Sequence, residues 1–95
     1  MDLNGRVALI TGGSRGVGAA TAKKLAQHGC NVAINCNQSL DLANKVAEEC
    51  QSLGVKALVV KGDVASNLDC IKILSETLQS FGQLDILINN AGVTR

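Results

Sequence analysis

Tyrosine, tryptophan and proline are absent from this 95-residue chain, and Phe81 is its only aromatic residue. Without tyrosine there is no phenol to serve as a general acid or base. Without a set of aromatic rings there is no platform on which single-stranded bases could stack. Charge is scarce as well: 18% of residues are charged, and nine basic side chains against eight acidic ones leave a net charge of +1. So balanced a chain offers no basic surface for the phosphate backbone of nucleic acids. No apolar run approaches the ~18–20 residues of a membrane helix. The opening Met1-Asp2-Leu3-Asn4-Gly5-Arg6 has the layout of neither a signal peptide nor a transit peptide. Cys30, Cys36, Cys50 and Cys70 form no CxxC pair, and without a secretory signal they are expected as reduced, half-buried thiols. The expectation is a soluble, cytoplasmic protein with neither nucleic acid nor membrane as partner.

What is present is a globular composition. Apolar residues make up 46% of the chain, too many for a disordered tail. The length suits one small domain at most, or a piece of a larger one. Val7-Ala8-Leu9-Ile10 is a continuous apolar run of the kind found in strands covered on both faces. Val32-Ala33-Ile34, Ala57-Leu58-Val59-Val60 and Ile86-Leu87-Ile88 repeat it. Between the first two, Val17 to His28 reads as a helix stopped by Gly29, with Ala22, Leu25 and Ala26 on one face. His28, on its last turn, reads as a surface residue at the helix end. Ala43, Val46, Ala47 and Cys50 mark the second helix at i, i+3, i+4, i+7, and Gly54 ends that segment. The third carries Ile71, Leu74, Leu78 and Phe81 on one stripe, Ser66 as N-cap, Asp69 at its positive end and Gly82 as its stop.

The resulting order is β-α-β-α-β-α-β. Right-handed crossovers turn it into a parallel sheet with helices on both faces. The predicted fold is therefore an α/β, Rossmann-type doubly wound sheet in strand order 3-2-1-4, of which residues 1–95 supply the N-terminal half only. The fourth strand would then be an apolar edge, which proteins avoid exposing, and one helix face lacks most of its cover. The expectation is a truncated domain that behaves poorly alone.

Directly after the first strand comes Thr11-Gly12-Gly13-Ser14-Arg15-Gly16-Val17-Gly18, leading into the first helix. A pyrophosphate at a helix N-terminus meets unpaired N–H groups and the positive end of the dipole. Glycines allow the sharp turn and the close backbone approach. The spacing, Gly12-x3-Gly16-x-Gly18, differs from G-x-G-x-x-G, yet its place between strand and helix in a βαβ unit points to a dinucleotide. An NAD site normally places an acid at the end of the second strand for the ribose 2′-OH. Here that stretch is Asn35-Cys36-Asn37-Gln38-Ser39, with no acid before Asp41. Arg15 could instead give a 2′-phosphate a charge-assisted contact. Both features favour NADP(H). The plainer alternative for Arg15 is a solvated surface charge.

The glycine turn, Asp63-Val64 after the third strand and Asn89-Asn90-Ala91-Gly92 after the fourth together resemble the classical short-chain dehydrogenase/reductase family, in order and spacing and over the whole chain. Ser14-Arg15 and Val93-Thr94-Arg95 are similar to the 3-oxoacyl-[acyl-carrier-protein] reductases within it. The resemblance implies that Gly12, Ser14, Arg15, Gly16, Val17 and Gly18 wrap the cofactor's phosphates. It places Cys36 and Asn37 beside the adenine ribose, with Asn37 a partner for the 2′-phosphate. Asp63 would bond the adenine amino group and Val64 would line the ring. Asn90, Ala91 and Gly92 would border the ribose on the nicotinamide side, and Asn89 would tie strands together. On the residues alone, Asp63 follows a β-run at the carboxyl end of a strand, where ligands bind in open α/β sheets, or is simply a turn residue.

The family transfers hydride between nicotinamide and a carbonyl or alcohol, using a Tyr-x-x-x-Lys pair, a Ser and a further Asn beyond the Asn-Asn-Ala-Gly segment. This chain has no tyrosine, so alone it is expected to be inactive. The resemblance thus implies the cofactor-binding part of an NADPH-dependent reductase. Its parent would be a homo-oligomer taking a carbonyl substrate such as an acyl-carrier-protein thioester. The alternative is a non-catalytic short protein that holds NADP(H) or docks its fourth strand on a partner.

Overall fold

The computed structural model describes residues 2–90. Four strands, β1 (Val7–Thr11), β2 (Asn31–Cys36), β3 (Ala57–Lys61) and β4 (Ile86–Asn89), alternate with α1 (Gly16–Gln27), α2 (Leu40–Gln51) and α3 (Asn67–Phe81). The sheet is parallel in the order β3-β2-β1-β4, as the crossover rule requires for this element order. Elements begin and end within a few residues of their expected limits. The strands gain a polar residue or two at their ends, Thr11 and Asn31 among them, where backbone pairing outlasts the apolar run.

Alternation along the strands divides the core between the two faces. On one, Ala8, Ile10, Val32, Ile34 and Cys36 pack beneath α1 and α2. Those helices contribute Ala19, Ala22 and Ala26, then Ala43, Val46, Ala47 and Cys50, all buried. Alanine on the inner face lets both helices lie close to the sheet. On the other face the buried set shrinks to Leu9, Ala33, Val60 and Ile73, beneath α3.

The third helix departs from its expected packing. Ser66 caps it, accepting a hydrogen bond from the Asp69 N–H at 3.3 Å, and Gly82 closes it. The residues it turns to the core, however, are Ile73 and Thr77, with Phe81 half-buried. The Thr77 hydroxyl bonds back to the Ile73 carbonyl at 2.8 Å, which makes its burial affordable without a sheet partner. Ile71, Leu74 and Leu78 remain exposed. Of the three, Leu74 lines the uncovered groove beside β4, where Leu87 is 56% exposed. All four cysteines are unpaired, and no described helix is long and apolar enough to cross a membrane.

Asp85 pins the start of β4 to β1. Its Oδ2 accepts from the Val7 N–H at 2.8 Å and from Gln83 Nε2 at 2.7 Å, and Arg6 lies 3.6 Å from Oδ1. The Val7 N–H, then Gln83 and Arg6, hold its carboxyl below the ordinary 3.8. A depressed carboxylate stabilises the fold fully above its unfolded pKa and loses that contribution as pH falls through the folded value. Asp85→Asn is therefore expected to flatten the fall in Tm below pH 3.8. A wild-type and variant acid limb of equal steepness would remove Asp85 from this role.

Candidate functional site

In a parallel sheet all strands end on the same edge, and here that edge gathers almost every residue singled out in the sequence. Gly12 to Gly18 follow β1, Cys36 ends β2 and Asn37 follows it, Asp63 and Val64 follow β3, and Asn90 follows β4. Ala91 and Gly92 lie outside the described residues. The edge is not one continuous site. A cleft of about 620 Å³ is lined by Gly12, Ser14, Arg15, Gly16, Val17, Cys36, Asn37 and Asn90, together with Gln38 and Ser39. Val64 lines a separate apolar groove on the α3 face, and Asp63 lines neither.

The cleft is shaped by the glycine turn. Gly12 and Gly16 have φ of +63° and +61°, a region that disfavours residues with a Cβ. Gly18 serves a different need. A Cβ there would fall 2.5 Å from the Gly12 carbonyl oxygen and 2.8 Å from Asn90 Nδ2, so only glycine lets α1 start against the turn. Asn90 fixes the same place from β4: its Nδ2 donates to the Gly12 carbonyl at 3.1 Å, and its N–H donates to Thr11 Oγ1 at 3.0 Å. Thr11 Oγ1 also lies 3.3 Å from Asn89 Oδ1, consistent with Asn89 tying β4 to β1.

Electrostatically the cleft suits an anion. The first-turn N–H groups of a helix have no carbonyl within it to bond, and α1 has neither a side-chain cap nor an acid in its first turn. Arg15 is exposed but directed: its Nη2 donates to Ser39 Oγ at 3.2 Å, across the mouth of the cleft. Ser39 is the N-cap of α2, yet its side chain makes no capping bond. Ser39 was not among the expected site residues. Its signal in the sequence, a serine ahead of a helix, reads as a cap.

Two other expectations are refined. One Asp63 oxygen accepts from the Ala65 N–H at 2.9 Å, and the Asp63 N–H donates to Asp69 Oδ2 at 2.8 Å. Asp63 is thus a turn residue whatever else it binds, and Asp69 reaches out of its helix to hold that turn. Cys36 is 2% exposed, and burial pushes its thiol up, with Lys61 opposing weakly. Burial likewise raises Cys30 and Cys50. An unreactive neutral thiol is the consequence, so a thiol reagent added to the native protein is expected to label the partly exposed Cys70 first. Labelling of Cys36 at the same rate would show the end of β2 to be open.

A four-stranded parallel sheet with its glycine-rich turn leading into α1 defines a dinucleotide-binding Rossmann-type fold. A profile of short chain dehydrogenases matches residues 6–95, and the chain belongs to that family. It is 43% identical over 91 residues to versicolorin reductase 1 of Dothistroma septosporum, covering 96% of this chain and 35% of the relative. It is 41% identical over 88 residues to a 3-oxoacyl-[acyl-carrier-protein] reductase of Staphylococcus epidermidis, covering 93% and 36%. A short chain dehydrogenase from Burkholderia cenocepacia solved in complex with NADP superposes with a TM-score of 0.93 at 42% identity, over all of this chain and 39% of the other. The chain spans about a third of the length of the curated relatives it matches.

Proposed function

We propose that the chain is the NADP(H)-binding part of a short-chain reductase, a partial Rossmann domain whose glycine turn and β2–α2 loop hold the cofactor's phosphates. The observation that carries this reading is the bond from Arg15 to Ser39 across an acid-free cleft. The fit is favourable on the residues themselves. Space above Gly16 is open, with nothing within 4 Å of a Cβ placed there, so a pyrophosphate can lie against the backbone. Asn37, Gln38 and Ser39 border the cleft without a carboxylate, so a 2′-phosphate meets no like charge and finds Arg15 and Ser39 as donors. Ser14, Gly16, Val17 and Gly18 would offer backbone N–H groups, and Cys36 and Asn37 would flank the ribose. Asp63 would keep one oxygen for the adenine amino group, Val64 would reach the ring's edge from the α3 side, and Asn90, Ala91 and Gly92 would border the second ribose.

NADPH, when bound, supplies a hydride for reduction of a carbonyl. The residues of this chain bind and orient it; with no tyrosine in the sequence, none of them is the phenolic proton donor that the family resemblance leads one to expect. The substrate class is a carbonyl compound, with a 3-oxoacyl thioester the favoured candidate because Ser14-Arg15 and the segment after β4 match those reductases. A second reading, a non-catalytic module that docks on a partner, draws on the apolar groove of about 470 Å³ between α3 and β4, lined by Leu9, Ile73, Leu74 and Leu87. In a polypeptide of the relatives' length, chain beyond β4 would cover that groove. Titrating the protein with NADPH and then adding a 3-oxoacyl thioester tests the proposal. Saturable binding without loss of absorbance at the nicotinamide band is expected. Turnover by this chain would overturn the division of labour, and no binding would overturn the cofactor reading.

A further inference from the structure

Within β2, Val32, Ala33, Ile34 and Cys36 are buried apolar residues, and Asn35 is buried among them at 2% exposure. A buried amide is costly unless its hydrogen-bonding groups are used. Those of Asn35 are used, and all of them at the edge where the cleft lies. Its Oδ1 accepts from the Gly12 N–H at 3.2 Å. Its Nδ2 donates to the Val60 and Gly62 carbonyls, each at 3.1 Å. The orientation of the amide is fixed by its neighbours, since two carbonyls on one side and an N–H on the other accept only one arrangement. The Asn35 backbone carbonyl adds a bond from the Gly13 N–H at 2.9 Å.

We infer that Asn35 is a positioning residue for the cofactor's phosphates, a role that rests on the NADP(H) reading above. It takes up the N–H groups of Gly12 and Gly13, and Asn90 takes the Gly12 carbonyl from the other side. The first peptides of the turn are thereby locked to the sheet, and anion binding falls to the N–H groups that follow, at the start of α1. The same side chain fastens the end of β3, so the turn that carries Asp63 is set from the same point as the glycine turn. An apolar residue would fill this position in β2 without making either link.

The test is Asn35→Ala, compared with wild type for NADPH affinity, Tm without cofactor, and hydrogen exchange at the Gly12 and Gly13 amides. At least a tenfold loss of NADPH affinity by the folded variant is expected, with Gly12 exchanging at least tenfold faster and Gly13, whose partner is backbone, little changed. A lower Tm with unchanged affinity would mark Asn35 as structural only and overturn the inference. Wild-type spectra supply a measure that does not depend on the variant folding: the Gly12 and Gly13 amides should be protected before NADPH is added and should move less on its addition than those of Gly16 to Gly18. An unprotected Gly12 amide in wild type would also overturn it. Failure of wild type to bind NADPH at all would instead remove the cofactor reading on which the role depends.

Discussion

Replacing Arg15 with alanine is expected to weaken NADPH binding by about ten- to a hundredfold, the range of one lost charged hydrogen bond worth about 1.5–3 kcal/mol. NADH, which lacks the 2′-phosphate, should bind the variant and wild type about equally. The expectation follows from what the Arg15 side chain does before any ligand arrives. A solvated arginine would keep its rotamers, and ordering it would offset part of the gain on binding. Here Nη2 already reaches Ser39 Oγ, so the guanidinium is held at the mouth of the cleft. Ser39→Ala should therefore reproduce a smaller share of the same selective loss. Equal losses for NADPH and NADH in the Arg15 variant would show that Arg15 acts on the pyrophosphate or on the fold, not on the 2′-phosphate.

Gly18→Ala is expected to have the second large effect, and of a different kind. The added Cβ meets the Gly12 carbonyl oxygen at 2.5 Å. That oxygen belongs to the Gly12–Gly13 peptide, which is gripped on both sides, by the Asn35 backbone carbonyl at the Gly13 N–H and by Asn90 at the Gly12 carbonyl. Neither helix nor turn can move without breaking one of these bonds, so overpacking should cost about 1–3 kcal/mol of stability. Both dinucleotides should lose affinity together, because the shift displaces the N-terminus of α1 itself. Gly16→Ala is the informative control. Nothing lies within 4 Å of its Cβ, but φ is +61°, so it should cost about 1–2 kcal/mol through backbone strain alone. A Gly18→Ala protein with wild-type Tm and affinity would mean that the turn is not clamped as described.

The two variants mark how far the sequence could be read. Gly18 and Arg15 drew notice because the spacing of the glycines is tied to a strand-to-helix junction and no acid stands at the end of β2. The sheet order followed from four short apolar runs and the handedness of crossovers, and α2 showed its inner face because its apolar positions are few and regularly spaced. The third helix was harder. Its caps, Ser66 and Gly82, were plain, but it has apolar residues on more than one side. Periodicity picked out Ile71, Leu74 and Leu78, whereas the sheet takes Ile73 and Thr77. An apolar stripe reports that a face can be covered, not which neighbour covers it.

Polar residues inside strands were the other blind spot. Asn35 interrupts an apolar run and was noticed only for not being an acid, because its bonds go to residues 23 to 27 positions away. No local pattern encodes that reach. Ser39 was hidden for a related reason, since a serine before a helix has a sufficient local explanation that the geometry does not use. The roles of Asp63 and Val64 came from family likeness, and in the fold both follow β3, with Asp63 holding a turn and Val64 on the α3 side.

The central claim is that the cleft between the glycine turn and the β2–α2 loop is where the dinucleotide's phosphates bind. It is tested most directly by titrating the isotope-labelled protein with NADPH and following every backbone amide. The account predicts saturable shifts concentrated at Ser14 to Gly18 and at Cys36 to Ser39, larger with NADPH than with NADH at Arg15 and Ser39. Shifts confined to the groove between α3 and β4, or none that saturate, would contradict it.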